Sequence, residues 1–186
     1  MNLKYKIEFL DYWHLGSGLS AGASLDSSVI KDSDELPYLS GKTLKGLARE
    51  MAELLGDCIF VNKCFGGSSD NRDICYDKKA KNIIGECYFG NATIDEDIAK
   101  EIITNKLQNN LYSSIASTQI KDGIAVTNSL REIEVVIPIT LYGEITHIPD
   151  EYKDKMMESL KMIKRMGLNR NRGLGRCELK EFSCKS

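Results

Sequence analysis

Proline, tryptophan and histidine are scarce in this sequence: three, one and two residues among 186. With only His14 and His147 available, a ribonuclease mechanism resting on a histidine pair is disfavoured. No apolar run approaches the roughly 20 residues that a membrane-spanning helix requires, so no membrane partner is expected. The opening residues, Met1-Asn2-Leu3-Lys4-Tyr5-Lys6-Ile7-Glu8, lack the apolar core of a secretory signal, and a cytoplasmic protein is expected. The six cysteines (Cys58, Cys64, Cys75, Cys87, Cys177 and Cys184) include no Cys-x2-Cys pair, so the usual spacing of a structural zinc site is missing and no metal ligand is assigned. In a cytoplasmic chain they are expected to be reduced, buried thiols. A net charge of −2 gives no global attraction to nucleic acid, so any such function has to come from a local patch.

What is present is an ordinary globular balance, 42% apolar and 28% charged, enough for one domain over 1–186. Leu3, Tyr5, Ile7 and Phe9 alternate with Lys4, Lys6 and Glu8, the period of a half-buried strand. Leu44, Leu47, Ala48, Met51, Leu54 and Leu55 give Thr43 to Leu55 one helical apolar face, with Gly56 to stop it, while Lys42, Lys45 and Arg49 line up on another face. Residues 57–84 read as an irregular insertion. A strand is expected over Glu86 to Ile94, then a helix from the N-cap Asp95 to about Asn109. About 111–129 is a polar, thumb-like excursion. Glu132 to His147 is the longest β-like run, and Pro138 within it predicts an edge or a bulge. A helix from Pro149-Asp150, ended by Gly167, and a strand over Leu174 to Phe182 complete the order. The fold class expected is α+β, with a ferredoxin-like (RRM-like) βαββαβ core carrying insertions.

The richest local feature is Gly167-Leu168-Asn169-Arg170-Asn171-Arg172-Gly173-Leu174-Gly175-Arg176. Glycines let backbone amides approach a phosphate, and interleaved arginines supply forks for its oxygens. From Lys161 to Arg176 there are six cations and no acid. A helix-to-strand turn with a solvated basic rim would look the same. Gly41-Lys42-Thr43 resembles the end of a P-loop, but Leu36 stands where that motif needs glycine. Gly16-Ser17-Gly18 fits the relaxed dinucleotide fingerprint without opening into a helix. Asp26, Asp32, Asp34 and Glu35 crowd one loop. On residue types alone that is a solvated acidic loop, although a carboxylate there could act on a 2′-hydroxyl or hold a divalent ion.

Three segments taken together resemble one family. Gly22 to Asp32 with Leu36 to Arg49 resembles the N-terminal signature of the RAMP superfamily, the repeat-associated proteins of type III CRISPR complexes. Cys64-Phe65-Gly66 followed by Gly85 to Phe89 resembles its Phe-Gly turn and next strand, and Gly167 to Arg176 its C-terminal glycine-rich loop. Within the family the chain is most similar to the backbone subunit that repeats along the guide RNA and cuts target RNA. The resemblance implies crRNA and target RNA as partners, together with other effector subunits including copies of itself. It implies Asp26 as the catalytic aspartate, with divalent Mg2+ or Mn2+ for cleavage. Ser40, Gly41, Lys42, Lys45 and Arg49 would contact guide phosphates, as would Gly167, Asn169, Arg170, Arg172, Gly173, Gly175 and Arg176. The alternatives are a non-catalytic capping subunit and a guide-processing endoribonuclease using His14 or His147.

Overall fold

The computed structural model describes residues 1–16, 27–68, 70, 72–79, 83–127 and 129–182. The alternating apolar residues at the N-terminus form strand β1 (Leu3–Phe9), with Leu3, Tyr5, Ile7 and Phe9 buried. Helix α1 (Gly41–Leu54) starts two residues earlier than its apolar periodicity suggests, because Ser40 caps it by accepting the Thr43 amide. The chain stops helical pairing at Leu55 and turns at Gly56, whose φ is +75°.

The expected irregular insertion contains a helix, α2 (Cys58–Phe65). Asp57 caps it, and Phe60, Val61, Cys64 and Phe65 are its buried side. The expectation of fully reduced cysteines is also corrected: Cys58 and Cys75 are joined by a disulfide. The fold brings them together because the chain after α2 doubles back, with the Asn62 amide donating to the Cys75 carbonyl. Cys64, Cys87 and Cys177 are free and buried, and Cys184 lies outside the described residues.

The strand expected over Glu86 to Ile94 is reduced to β2 (Tyr88–Phe89), since beyond it Ala92 pairs with Leu39 instead. Asp95 caps α3 (Glu96–Thr104) through the Asp97 and Ile98 amides. A 3-10 turn at Gln108–Leu111 leads into β3 (Tyr112–Ser117), and a small hairpin follows, β4 (Ile120–Lys121) and β5 (Ile124–Ala125). Its two-residue turn is Asp122-Gly123, both with positive φ, the chemistry a tight hairpin demands.

The long β-like run is two strands, β6 (Arg131–Val136) and β7 (Thr140–Thr146), parted around Pro138. β6 pairs with β3 in a ribbon of its own, and β7 enters the main sheet. A 3-10 turn at Asp150–Tyr152 opens α4 (Lys153–Met162). This helix ends at Met162, not at Gly167: Ile163 is already extended, and the Cys177 amide bonds Lys164 as the chain approaches β8 (Cys177–Glu181).

The four-stranded sheet has the order β2-β7-β1-β8, antiparallel throughout, with Leu3 opposite Ile145 and Ile7 opposite Leu179. The core lies between this sheet and α1 with α4: Leu44, Ala48 and Ala52 from α1, and Met156 and Leu160 from α4, are fully buried against it. At about 25 cal/mol per Å2, each large aliphatic side chain contributes about 1.5–3 kcal/mol. Among the described residues no helix is long and apolar enough to cross a membrane.

Candidate nucleic-acid interface

The glycine-rich loop is latched to the segment just after β1 by main-chain hydrogen bonds. Leu10 donates to the Arg176 carbonyl at 2.8 Å, Gly175 to Tyr12 at 2.8 Å, and Leu168 to His14 at 2.9 Å. Inside the loop, Arg172 donates to Asn169 at 2.7 Å and Met166 to Gly175 at 3.0 Å. Asn169 accepts the left-handed conformation with φ +55°. The three glycines have different jobs. A Cβ on Gly167 would lie 2.2 Å from the His14 carbonyl oxygen, and one on Gly175 would lie 1.9 Å from that of Met166, whereas one on Gly173 would meet nothing within 4 Å. Gly167 and Gly175 are therefore required by internal packing, and Gly173 is the one that faces open space.

Around this frame Arg170 and Arg172 are exposed and have no carboxylate within ion-pair distance among the described residues. Arg176 is exposed too, with Nε 3.2 Å from Asp11. Arg165 donates from Nη1 to the Arg170 carbonyl. Lys164, Arg165, Arg170 and Asn171 then line a groove of about 280 Å3 whose other wall is Leu47, Glu50 and Met51 of α1. Lys164 and Arg165 were countable in the sequence as part of the 161–176 cation run, but nothing there showed that they share a groove with α1.

The helix residues take a different side. Leu47, Glu50 and Met51 face the glycine-rich loop. Arg49 points towards the 57–84 insertion: Nε donates to Glu53 at 2.7 Å, Nη1 to the Gly66 carbonyl at 2.6 Å and Nη2 to Asp73 at 3.1 Å. At 3.6 residues per turn Lys42 and Lys45 share that flank with Arg49. One continuous basic surface is thus not what the fold builds; α1 stands between the helix cations and the loop. Arg49 is taken up by internal partners, since its charge offsets two carboxylates that are themselves largely covered. Burial, with Asp73 close by, raises the Glu53 carboxyl above its ordinary range despite Arg49. For Asp73 burial acts in the same direction but is outweighed by bonds from Ser68, the Cys75 amide and Arg49, so its carboxyl is lowered.

Ser40 and Gly41 are likewise committed. Ser40 Oγ bonds Thr43, the Gly41 amide donates to Asn91 Oδ1 at 2.9 Å, and a Cβ on Gly41 would fall 1.9 Å from the Phe89 carbonyl oxygen. Lys42 is exposed and Lys45 half-buried, neither in an ion pair among the described residues. On the solvent face of the main sheet two of the lysines are neutralised by neighbouring carboxylates. Lys6 and Lys180 both bond Glu8, and Lys180 also bonds Glu178.

A family model described as the RAMP superfamily matches residues 6–178. The chain belongs to the RAMP superfamily. By structure this RAMP protein is similar to a chain in the cryo-EM structure of the type III-B Cmr-beta bound to cognate target RNA, with a TM-score of 0.73, 11% identity and 97% of each chain covered. It is also similar to a chain in the type III-B Cmr-beta apo state, with a TM-score of 0.74, 11% identity, and 99% and 98% of the two chains covered. At that identity the likeness is one of fold. No curated protein matches the chain by sequence.

Asp26 lies outside the described residues. The chain resumes at Ser27, which is held firmly. Its hydroxyl is 3.0 Å from His14 Nε2, while His14 Nδ1 is 2.6 Å from the Glu134 carbonyl. That carbonyl can only accept, so Nδ1 carries a proton and donates to it. The Glu134 carboxylate takes the Val29 amide and Lys31 Nζ, and Lys31 lies 3.9 Å over the Tyr112 ring. The stretch after Asp26 is therefore pinned to the β3–β6 ribbon and, through His14, to the glycine-rich loop. His14 is buried with both ring nitrogens engaged, and His147 sits at the other end of β1, so the histidines do not converge. Among the described residues no group of three or more His, Cys, Asp or Glu could hold a metal ion, and Asp26, on which the expectation of a divalent ion for cleavage rests, lies outside them.

Proposed function

We propose that this RAMP protein is an RNA-binding subunit of a type III CRISPR effector complex, holding crRNA through its phosphates with the glycine-rich loop. The observation that carries this reading is the exposure of Arg170 and Arg172, free of carboxylate partners among the described residues, on a loop whose backbone is fixed from behind. A rigid frame presenting unpaired guanidinium groups suits phosphate oxygens, and sequence is then left to base pairing. Gly173, Asn169 and Arg176 complete that contact, and Lys42 and Lys45 form a second one on the far flank of α1. The core fits the ferredoxin-like description, since its four sheet strands run second, third, first, fourth with α1 and α4 on one face. The thumb-like excursion over about 111–129 carries β3, which pairs with β6, and the β4–β5 tip, and it would lie against the guide–target duplex. Other effector subunits and copies of this chain are the protein partners, in keeping with the fold likeness to chains of type III-B Cmr-beta.

The test is a salt titration with single-stranded guide-like RNA. Log affinity should fall linearly with log salt, and Arg170→Ala/Arg172→Ala should lower the slope by about 1–2, close to 0.7 per lost phosphate contact on a single strand. An unchanged slope would move the phosphate track away from the loop. Target cleavage is assigned to Asp26 as part of the same proposal. In the assembled complex supplied with Mg2+ or Mn2+, Asp26→Ala should abolish cleavage and leave guide binding intact, and surviving cleavage would leave a capping subunit as the better reading.

A further inference from the structure

Beside the arginines lies a feature that phosphate binding does not use. Tyr12 is 42% exposed, and it is flanked by Leu10 at 42% and Leu168 at 44%. Single exposed apolar residues are ordinary on a protein surface. The main-chain latch brings the backbones of these three into neighbouring positions. Leu10 donates to Arg176, the Tyr12 carbonyl receives Gly175, and Leu168 donates to His14, two residues along from Tyr12. The ring of Tyr12 makes no ring contact, and its hydroxyl no hydrogen bond, among the described residues. Most other aromatic side chains are spoken for: Phe9 stacks on Trp13, Phe60 meets Phe65 and Tyr152, Tyr142 meets Phe182, and Lys31 covers Tyr112.

Tyr12 itself is held at the backbone by the loop that carries Arg170, Arg172 and Arg176. A ring without a ring or hydrogen-bond partner, on a backbone bonded to the loop that carries Arg170 and Arg172, which have no carboxylate partner among the described residues, matches the chemistry of a single-stranded nucleotide, an anionic backbone joined to a flat apolar base. Aromatic rings bind unstacked bases on their faces while cations take the phosphates. We infer that Tyr12, backed by Leu10 and Leu168, is a base-stacking platform that works with the arginines of the glycine-rich loop. The inference rests on the RNA-binding reading above and adds that this site engages a base as well as the phosphate chain. Because every base has a π-face, the contact is tolerant of sequence, as a site reading any guide has to be.

The experiment compares Tyr12→Ala and Tyr12→Phe with the unaltered protein, using fluorescence anisotropy on a mixed-sequence single-stranded RNA and on an abasic ribose-phosphate oligomer of equal length, each at low and moderate salt. Tyr12→Ala should weaken RNA binding roughly 5- to 150-fold at every salt concentration, the range of one base stack, with the salt slope unchanged. Tyr12→Phe should retain affinity, and on the abasic oligomer all three proteins should bind alike. Equal RNA affinity of Tyr12→Ala and the unaltered protein would overturn the platform, as would the same loss on the abasic oligomer or a loss in Tyr12→Phe. A Tyr12→Ala variant that keeps its RNA affinity but loses association with a second copy of the chain would reassign the patch to protein contact. Absence of RNA binding by the unaltered protein at low salt, by contrast, is a failure of the phosphate reading and removes both.

Discussion

Gly175→Ala is the substitution for which the structure makes the sharpest demand. The new Cβ would lie 1.9 Å from the Met166 carbonyl oxygen, where real contacts essentially never fall under 3.0 Å, so the two strands of the loop would have to separate by about 1 Å. One hydrogen bond joins them, Met166 to Gly175 at 3.0 Å, and another ties Gly175 to Tyr12 at 2.8 Å; a movement of that size takes at least one beyond bonding range. The residue also has φ +70°, which costs an L side chain about 1–2 kcal/mol. With about 1–3 kcal/mol for a covered group left unpaired, the total is about 2–5 kcal/mol. Gly173→Ala, at φ +92° with open space around it, carries only the conformational part, about 1–2 kcal/mol. The only tryptophan, Trp13, is buried, stacked on Phe9 and bonded from Nε1 to the Ile137 carbonyl, one residue from Tyr12. Its fluorescence reports urea unfolding of this region directly. Denaturation curves should place Gly175→Ala about 1–3 kcal/mol below Gly173→Ala, and at about 2–4 °C per kcal/mol its melting temperature should fall by about 10 °C. Equal stability of the two variants would refute the assignment of Gly175 to packing.

Two further outcomes follow from the flank of α1 and from α2. Arg49→Met should cost about 1–3 kcal/mol, because it strands the Gly66 carbonyl and two partly covered carboxylates, and limited proteolysis should then cut the 66–79 stretch faster while RNA affinity changes little. Asp57 is held below the usual carboxylate range by the Lys155 ammonium and the Phe60 amide. A depressed folded value means that its stabilisation is complete above the unfolded value of about 3.9 and is lost as pH falls through the folded one. Asp57→Asn should accordingly be less stable than the unaltered protein at pH 6, with the gap narrowing as pH falls below about 3.9; a gap that stays constant in urea melts would contradict the pairing.

Local chemistry made much of this legible in advance. Alternation located β1, and the apolar face located α1. The aspartate at position 95 caps the helix it precedes. Helix α2 was missed although Asp57 followed by apolar 60, 61, 64 and 65 is a capped helical pattern; the polar residues downstream masked it. Other differences came from pairing between distant segments. Glu132 to His147 is one run of β-formers, yet its halves serve different sheets because Val136 pairs with Trp13 while β7 pairs with β1. Gly167 has the positive φ of a helix cap, but α4 is drawn out of helix five residues earlier by the approach to β8. The basic residues were identifiable one by one; that α1 would divide them depends on where the insertion folds, which Arg49, Asp73 and the 58–75 disulfide fix together.

The latch of the glycine-rich loop is made of peptide groups, so its shape is indifferent to most of the letters written on it. Gly167 and Gly175 are fixed by sterics and Leu174 is buried, but positions 170 to 172 can be exchanged without disturbing the bonds to Leu10, Tyr12 and His14. Such an arrangement separates the inheritance of a scaffold from the inheritance of its chemistry. Relatives can diverge at these exposed positions while keeping the same loop, and an engineer can vary those three residues as a library on a frame that does not move.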